Sequence, residues 1–298
     1  MKHLIAALVL IAGTVLSAQI KVIGTTLPVT AVTNAVLQGI PDTNVMVLLP
    51  EIAGCPHDYS LTPADMKRLT GAQVVVINGG GMEGFLDGVV ERVCPKAVIV
   101  DASHGVLPKG HKHSCGKEHC HHHHPHAVNE HILASPAMAC KAVFSVGGQF
   151  RSLPAFAKSA PEILKNTEAY AGKLMKIADD YSAFKAVLPS GKKRVIVQHS
   201  LFDYLAKEAG FEVKGHIFEH DLQEPSAAQA AKLLQLIKKE GVFAIFAEPG
   251  KKSRMTEMLS KESGIPVIYL NANLKTDSPE ELLKIFADDL EILKKAVK

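Results

Sequence analysis

Eight short runs of β-branched and aliphatic residues alternate with helix-like stretches in two sets of four, and no other feature restricts the fold of this chain as much. The first set is Ile20 to Thr26, Val45 to Leu49, Val74 to Asn78 and Ala97 to Asp101. The second is Arg194 to Gln198, Phe211 to His216, Phe243 to Glu248 and Pro266 to Asn271. Several are apolar at consecutive positions, as strands covered on both faces are, so an α/β fold with one mainly parallel sheet in each half is expected.

Between the two sets, "NTEAYAGKLMKIADDYSAFKAVL" spaces Tyr170, Leu174, Ile177, Tyr181, Phe184 and Leu188 at steps of three and four. That pattern predicts one apolar stripe on a long helix, ended by the Pro and Gly of "PSGKK". A flexible linker would be richer in Gly and Ser. With 298 residues the chain can form two lobes, each with its own core. The expected organisation is a leader over 1–18, an N-terminal lobe over 19–155 carrying a His-rich loop at 104–128, a linking helix region over 156–189 and a C-terminal lobe over 190–298.

The leader reading rests on Lys2, an apolar stretch from Leu4 to Leu16 and the small residues Ser17 and Ala18. This is the order of a cleaved secretory signal, and the stretch is shorter than the ~20 residues of a membrane-spanning helix. A mature chain in the periplasm or outside the cell is expected. The formal charge is only +3 and its cations are scattered, which argues against nucleic acid as a partner. Five cysteines (Cys55, Cys94, Cys115, Cys120 and Cys140) permit disulfides in an exported chain, with at least one left over.

Eight of the fifteen histidines fall between His111 and His126: His111, His113, His119, His121, His122, His123, His124 and His126. Around them stand Gly, Lys, Ser, Pro and two cysteines, too little apolar surface to bury. Imidazole and thiolate suit zinc, copper and nickel, so the tract reads as an auxiliary metal-collecting loop.

Three isolated histidines follow strand ends, the place where ligands bind open parallel sheets. His57 comes after the second strand, in "LLPEIAGCPHDYSLTPADMKRL" and ahead of the helix start signal "TPAD". His131, in "NEHILASPAMA", follows the fourth strand once the His-rich tract is looped out, and His199 follows the fifth in "RVIVQHSLFDYLAKEAG". A lone histidine is more often a packed or capping residue than a ligand, but the shared position raises all three together. A tetrahedral zinc site with three imidazoles needs one more donor or a water. The strand ending at Asn271 is the place to seek it, with Asn271, Asn273 and Asp277 as candidates.

The stretches "PHDYSLTPADMKRL", "NEHILASP", "QHSLFDYLAKEAG" and "EPSAAQAAKLLQLIKKEGVFAIFAEP", together with the His-rich insertion, resemble the cluster A-I substrate-binding proteins of metal ABC importers, and within them the periplasmic zinc-binding ZnuA type. The resemblance covers essentially the whole mature chain. It implies two α/β lobes bridged by a long helix, metal held between them by His57, His131 and His199, and delivery of zinc to a membrane permease by a monomeric protein. A histidine at position 199 resembles zinc-type members, where manganese-type members carry a glutamate. The family commonly supplies an aspartate in a leucine-aspartate-proline-leucine segment, and the matching stretch here is "LNANL", with Asn271 in the aspartate's place.

Other features read more plainly. "EPSAAQ" is expected to cap a helix, and "NGGGMEGF" lacks the Walker lysine and the dinucleotide spacing, so it reads as a tight turn beside the cleft. Glu248 is a structural or supporting residue, and His216 and His220 are surface histidines. Glu51 and Cys55 are weak alternative ligands, and Asp58 is a candidate to orient a ligand imidazole. Two competing classes are a zinc hydrolase, for which no "HExxH" is present but Glu130 beside His131 offers a base, and a secreted metal buffer acting through the tract.

Overall fold

The computed structural model describes residues 19–50, 56, 59–107, 128–218, 225–251, 253–271 and 273–298. Its strands are β1 (Ile20–Thr26), β2 (Thr43–Leu49), β3 (Val74–Ile77), β4 (Val98–Asp101), β5 (Arg194–Val197), β6 (Glu212–His216), β7 (Ala244–Ala247) and β8 (Val267–Tyr269). Its helices are α1 (Leu27–Val36), α2 (Pro63–Leu69), α3 (Val90–Val93), α4 (Pro136–Ser152), α5 (Ala160–Val187), α6 (Asp203–Glu208), α7 (Ala227–Glu240), α8 (Arg254–Ser263) and α9 (Pro279–Ala296). The leader at 1–18, the tract from His111 to His126, and Glu51, Cys55, His57, Asp58 and His220 lie outside the described residues.

Two parallel four-stranded sheets form, in the orders β2-β1-β3-β4 and β6-β5-β7-β8. The topology is the same in both lobes, and each sheet reverses direction of winding beside its first strand, at β1/β3 and β5/β7. Consecutive apolar residues serve two cores at once. Val22, Val74 and Val76 face the core under α1, α4 and α5, while Ile23 and Val75 face a second core with Leu69 and Leu86. In the other lobe Val195, Val197 and Phe246 point one way, and Ile196 and Ile245 point the other.

Helix α5 starts at Ala160, six residues before the segment quoted above begins, because Pro161 suits the first turn of a helix. Tyr170 and Leu174 enter the first lobe's core and Tyr181, Phe184 and Leu188 the second's, while Ile177 packs against both. Each such side chain, once buried, contributes roughly 1.5–3 kcal/mol. Gly147 lets α4 lie close against α5, since a Cβ there would stand 2.2 Å from Thr167 Oγ1. The C-terminal part of the chain is shared between lobes: Leu274, Leu282 and Phe286 join the first core, and Leu290 and Leu293 the second. Thus α9, like α5, is a brace across both.

The start signals act as read. Thr62 and Asp65 form a capping box on α2 with Pro63 in its first turn, and Ser226 and Gln229 form one on α7. Among the described residues, Cys94 and Cys140 are buried free thiols.

Candidate metal centre

His131 and His199 come from different lobes and meet. Their ring centroids are 5.0 Å apart with planes at 88°. Two imidazoles bound to one tetrahedral ion at ~2.0–2.1 Å, each with its centroid ~1.1 Å behind the ligating nitrogen, would have centroids ~5 Å apart, so the pair already has the required spacing. His131 is buried and opens the short turn Ile132–Ala134 leading into α4. His199 sits directly after β5 at the head of the turn Ser200–Phe202, where its Nδ1 accepts the Leu201 N–H at 3.2 Å.

The segment carrying His131 is held on both sides. On the first lobe's side, Asn78 Nδ2 donates to the Glu130 carbonyl at 2.8 Å, and the turn "NGGG" passes against Glu130. That turn needs glycine: Gly79 has φ +81° and a Cβ there would stand 1.8 Å from Asp101 Oδ1. Glu83 closes the turn, accepting from Thr25 Oγ1, Asn78 N and Gly79 N at 2.7, 2.7 and 3.1 Å. Burial pushes Glu83 up to about 7 against the pull of those three donors.

On the second lobe's side, Tyr204 Oη donates to the Asn129 carbonyl at 2.6 Å, and Asn129 Nδ2 donates to the Ser200 carbonyl at 2.7 Å. Burial, with the charges of Glu130 and Asp203, raises the Tyr204 hydroxyl, which keeps it a donor. His216 faces the Asp203 carboxylate at 2.9 and 3.1 Å.

Asn271 is held in place by Asp289. Its backbone N–H and its Nδ2 both donate to Asp289 Oδ1, at 2.8 and 3.0 Å. It also lines a small, mainly apolar cavity with Leu133, Ala134, Phe202 and Phe286. Asn273 Nδ2 donates to Glu248 Oε1, and the Asp277 carbonyl accepts from Asn34. Glu248 is buried and paired with Lys251 at 2.5 Å, while its own N–H donates to Gln198 Oε1, beside His199. Among the described residues no three His, Cys, Asp or Glu side chains form a metal-sized group. His57, the remaining expected ligand, lies outside them.

The sequence alone does not mark Asn129, Asp203, Tyr204 or Glu83 as supports of this site. The local signal is the asparagine two residues before His131, and its partners in the second lobe are 71 to 75 residues away.

Two parallel-sheet α/β lobes braced by a long helix are the architecture of the cluster A-I substrate-binding proteins. The chain belongs to the family described as zinc-uptake complex component A, periplasmic, whose model matches residues 22–296. This is a family of transport components, not of enzymes. The chain is 27% identical over 269 residues to the zinc-binding protein AdcA of Streptococcus pyogenes, covering 85% of this chain and 50% of that protein. It therefore spans about half the length of the AdcA proteins it matches. It is 31% identical over 223 residues to the high-affinity zinc uptake system protein ZnuA of Bacillus subtilis, covering 72% of this chain and 67% of that one. Among solved structures, FpvC of Pseudomonas aeruginosa in complex with Ni2+ superposes with a TM-score of 0.77 at 25% identity, over 94% of this chain and 97% of that one. FpvC has also been solved with Mn2+.

Proposed function

We propose that this protein is an extracytoplasmic carrier that captures a zinc ion between its lobes and delivers it to an ABC permease. His57, His131 and His199 are the imidazole donors, and Asn271 Oδ1 or a water completes the set. The observation that carries the reading is the pair His131 and His199, brought from separate lobes to the spacing of two ligands on one ion. The relatives named for zinc support zinc as the cargo, and three imidazoles suit zinc better than manganese. Nickel and manganese in FpvC make those ions the proper competitors. The tract from His111 to His126 acts as an auxiliary collector rather than as the main site.

Isothermal titration and metal analysis test this. The wild-type protein and a variant lacking residues 110–125 should each bind one zinc tightly, in preference to manganese and nickel, and His199→Ala or His131→Ala should lose it. Loss of all tight binding on deleting the tract would leave a metal buffer instead. Unchanged affinity in His199→Ala would remove the cleft from consideration.

A further inference from the structure

Asn129 makes more contacts than its place in a loop requires. Its Oδ1 lies 2.9 Å from both the His131 N–H and His131 Nδ1. Its Nδ2 faces two groups that only accept, the Ser200 carbonyl at 2.7 Å and Asp203 Oδ2 at 3.3 Å. A flipped amide would set Nδ2 against the His131 N–H and Oδ1 against a carbonyl and a carboxylate, so the orientation is fixed by each of its neighbours. With an acceptor 2.9 Å from Nδ1, that nitrogen must carry the ring proton, and the neutral ring then has its lone pair on Nε2. Asp203 is itself steadied by His216.

We propose that Asn129 is a positioning residue: through its amide it sets the tautomer of His131 and ties that ring to the Ser200 turn that carries His199, so both ligands are arranged before the ion arrives. This rests on the cleft-binding reading above. The two rings differ as a result. His131 carries its lone pair on Nε2, whereas His199 uses an Nδ1 lone pair to accept from Leu201. Groups that orient a ligand imidazole in this way typically change metal affinity ~10- to 100-fold when removed.

Two measurements test the proposal, and the first needs no metal. Nitrogen-15 spectra of the histidine rings in the metal-free protein should show His131 protonated at Nδ1, and in Asn129→Ala should show a mixture of tautomers. Zinc titration against a competing chelator should show Asn129→Ala weakened ~10- to 100-fold. Asn129→Asp keeps an oxygen opposite Nδ1 but cannot donate to the Ser200 carbonyl. It should retain the tautomer, lose affinity, and provide the reading if the alanine variant does not fold. An Asn129→Ala protein with one His131 tautomer and wild-type zinc affinity overturns the proposal. A wild-type protein that binds no zinc instead overturns the cleft reading, and the metal-free spectra still decide the role of Asn129.

Discussion

Glu208, on α6 of the second lobe, accepts the Ser135 hydroxyl and the Ala137 N–H and so closes the N-terminus of α4 in the first lobe. Ser135 stands at the N-cap position but makes no side-chain cap within its own helix; the carboxylate from across the cleft takes that place. A carboxylate suits the positive end of a helix, and burial raises Glu208 while these donors pull it down. Four residues earlier in the first lobe is His131, so this clamp fixes the start of the helix that the His131 segment runs into.

Replacing Glu208 by Ala should therefore cost about 1–3 kcal/mol, because donors are left buried without an acceptor. Glu208→Gln keeps an oxygen and should lose less. Urea unfolding of the metal-free proteins measures both, and a midpoint for the alanine variant equal to wild type would show that the clamp is not a stabilising contact.

Loading the cleft should change His199 more than His131. If zinc binds Nε2 of His199, the ring proton moves to Nδ1, which can no longer accept from Leu201; if zinc binds Nδ1, the same lone pair is used. Either way the Leu201 N–H loses its bond, a cost of about 0.5–1.5 kcal/mol set against metal binding. The Leu201 amide resonance should shift and its hydrogen exchange should quicken on adding zinc, while the His131 ring keeps its tautomer. An unmoved Leu201 amide at full zinc occupancy would exclude direct ligation by His199.

All eight strands and the central helix were legible in the sequence because burial on both sheet faces and on one helix face leaves a periodic apolar record. That His131 and His199 come close could be expected from their places after the fourth and fifth strands, and their rings do meet. Asn129, Glu83, Glu208 and Asp289 were not, since a buried polar group depends on partners such as Ser200, Thr25, Ser135 and Asn271, chosen by tertiary folding rather than by local spacing. The same reason hid α9's double role: the pattern of Leu282, Phe286, Leu290 and Leu293 declares an apolar face but not that its two halves enter different cores.

Zinc affinity should fall as pH drops below ~6.5, since an imidazole must be neutral to ligate and protons then compete with the ion for each ring. With three imidazoles the loss should steepen to more than tenfold per pH unit. Chelator competition at pH 5.5, 6.5 and 7.5 measures it, and an affinity flat across that range would require donors other than histidine.

Stability without metal should vary with pH in a way set by Asp289 and Glu83. Burial pushes Asp289 up to about 7 although Asn271 donates to it twice, and its second oxygen, Oδ2, is buried with no hydrogen-bond partner among the described residues. Glu83 is also raised to about 7. A carboxyl held above its unfolded value binds its proton more tightly in the folded protein. The stability it contributes is fully present below pH ~4 and is lost as pH rises through about 7, at up to ~1.4 kcal/mol per pH unit for each proton. Asp289→Asn removes one such titration while keeping an oxygen for Asn271 and roughly the same volume. Its unfolding free energy, measured in urea at pH 5, 6, 7 and 8, should decline less steeply between pH 5 and 7 than that of the wild type. Parallel curves would mean that Asp289 is ionised throughout and that its burial does not hold its proton.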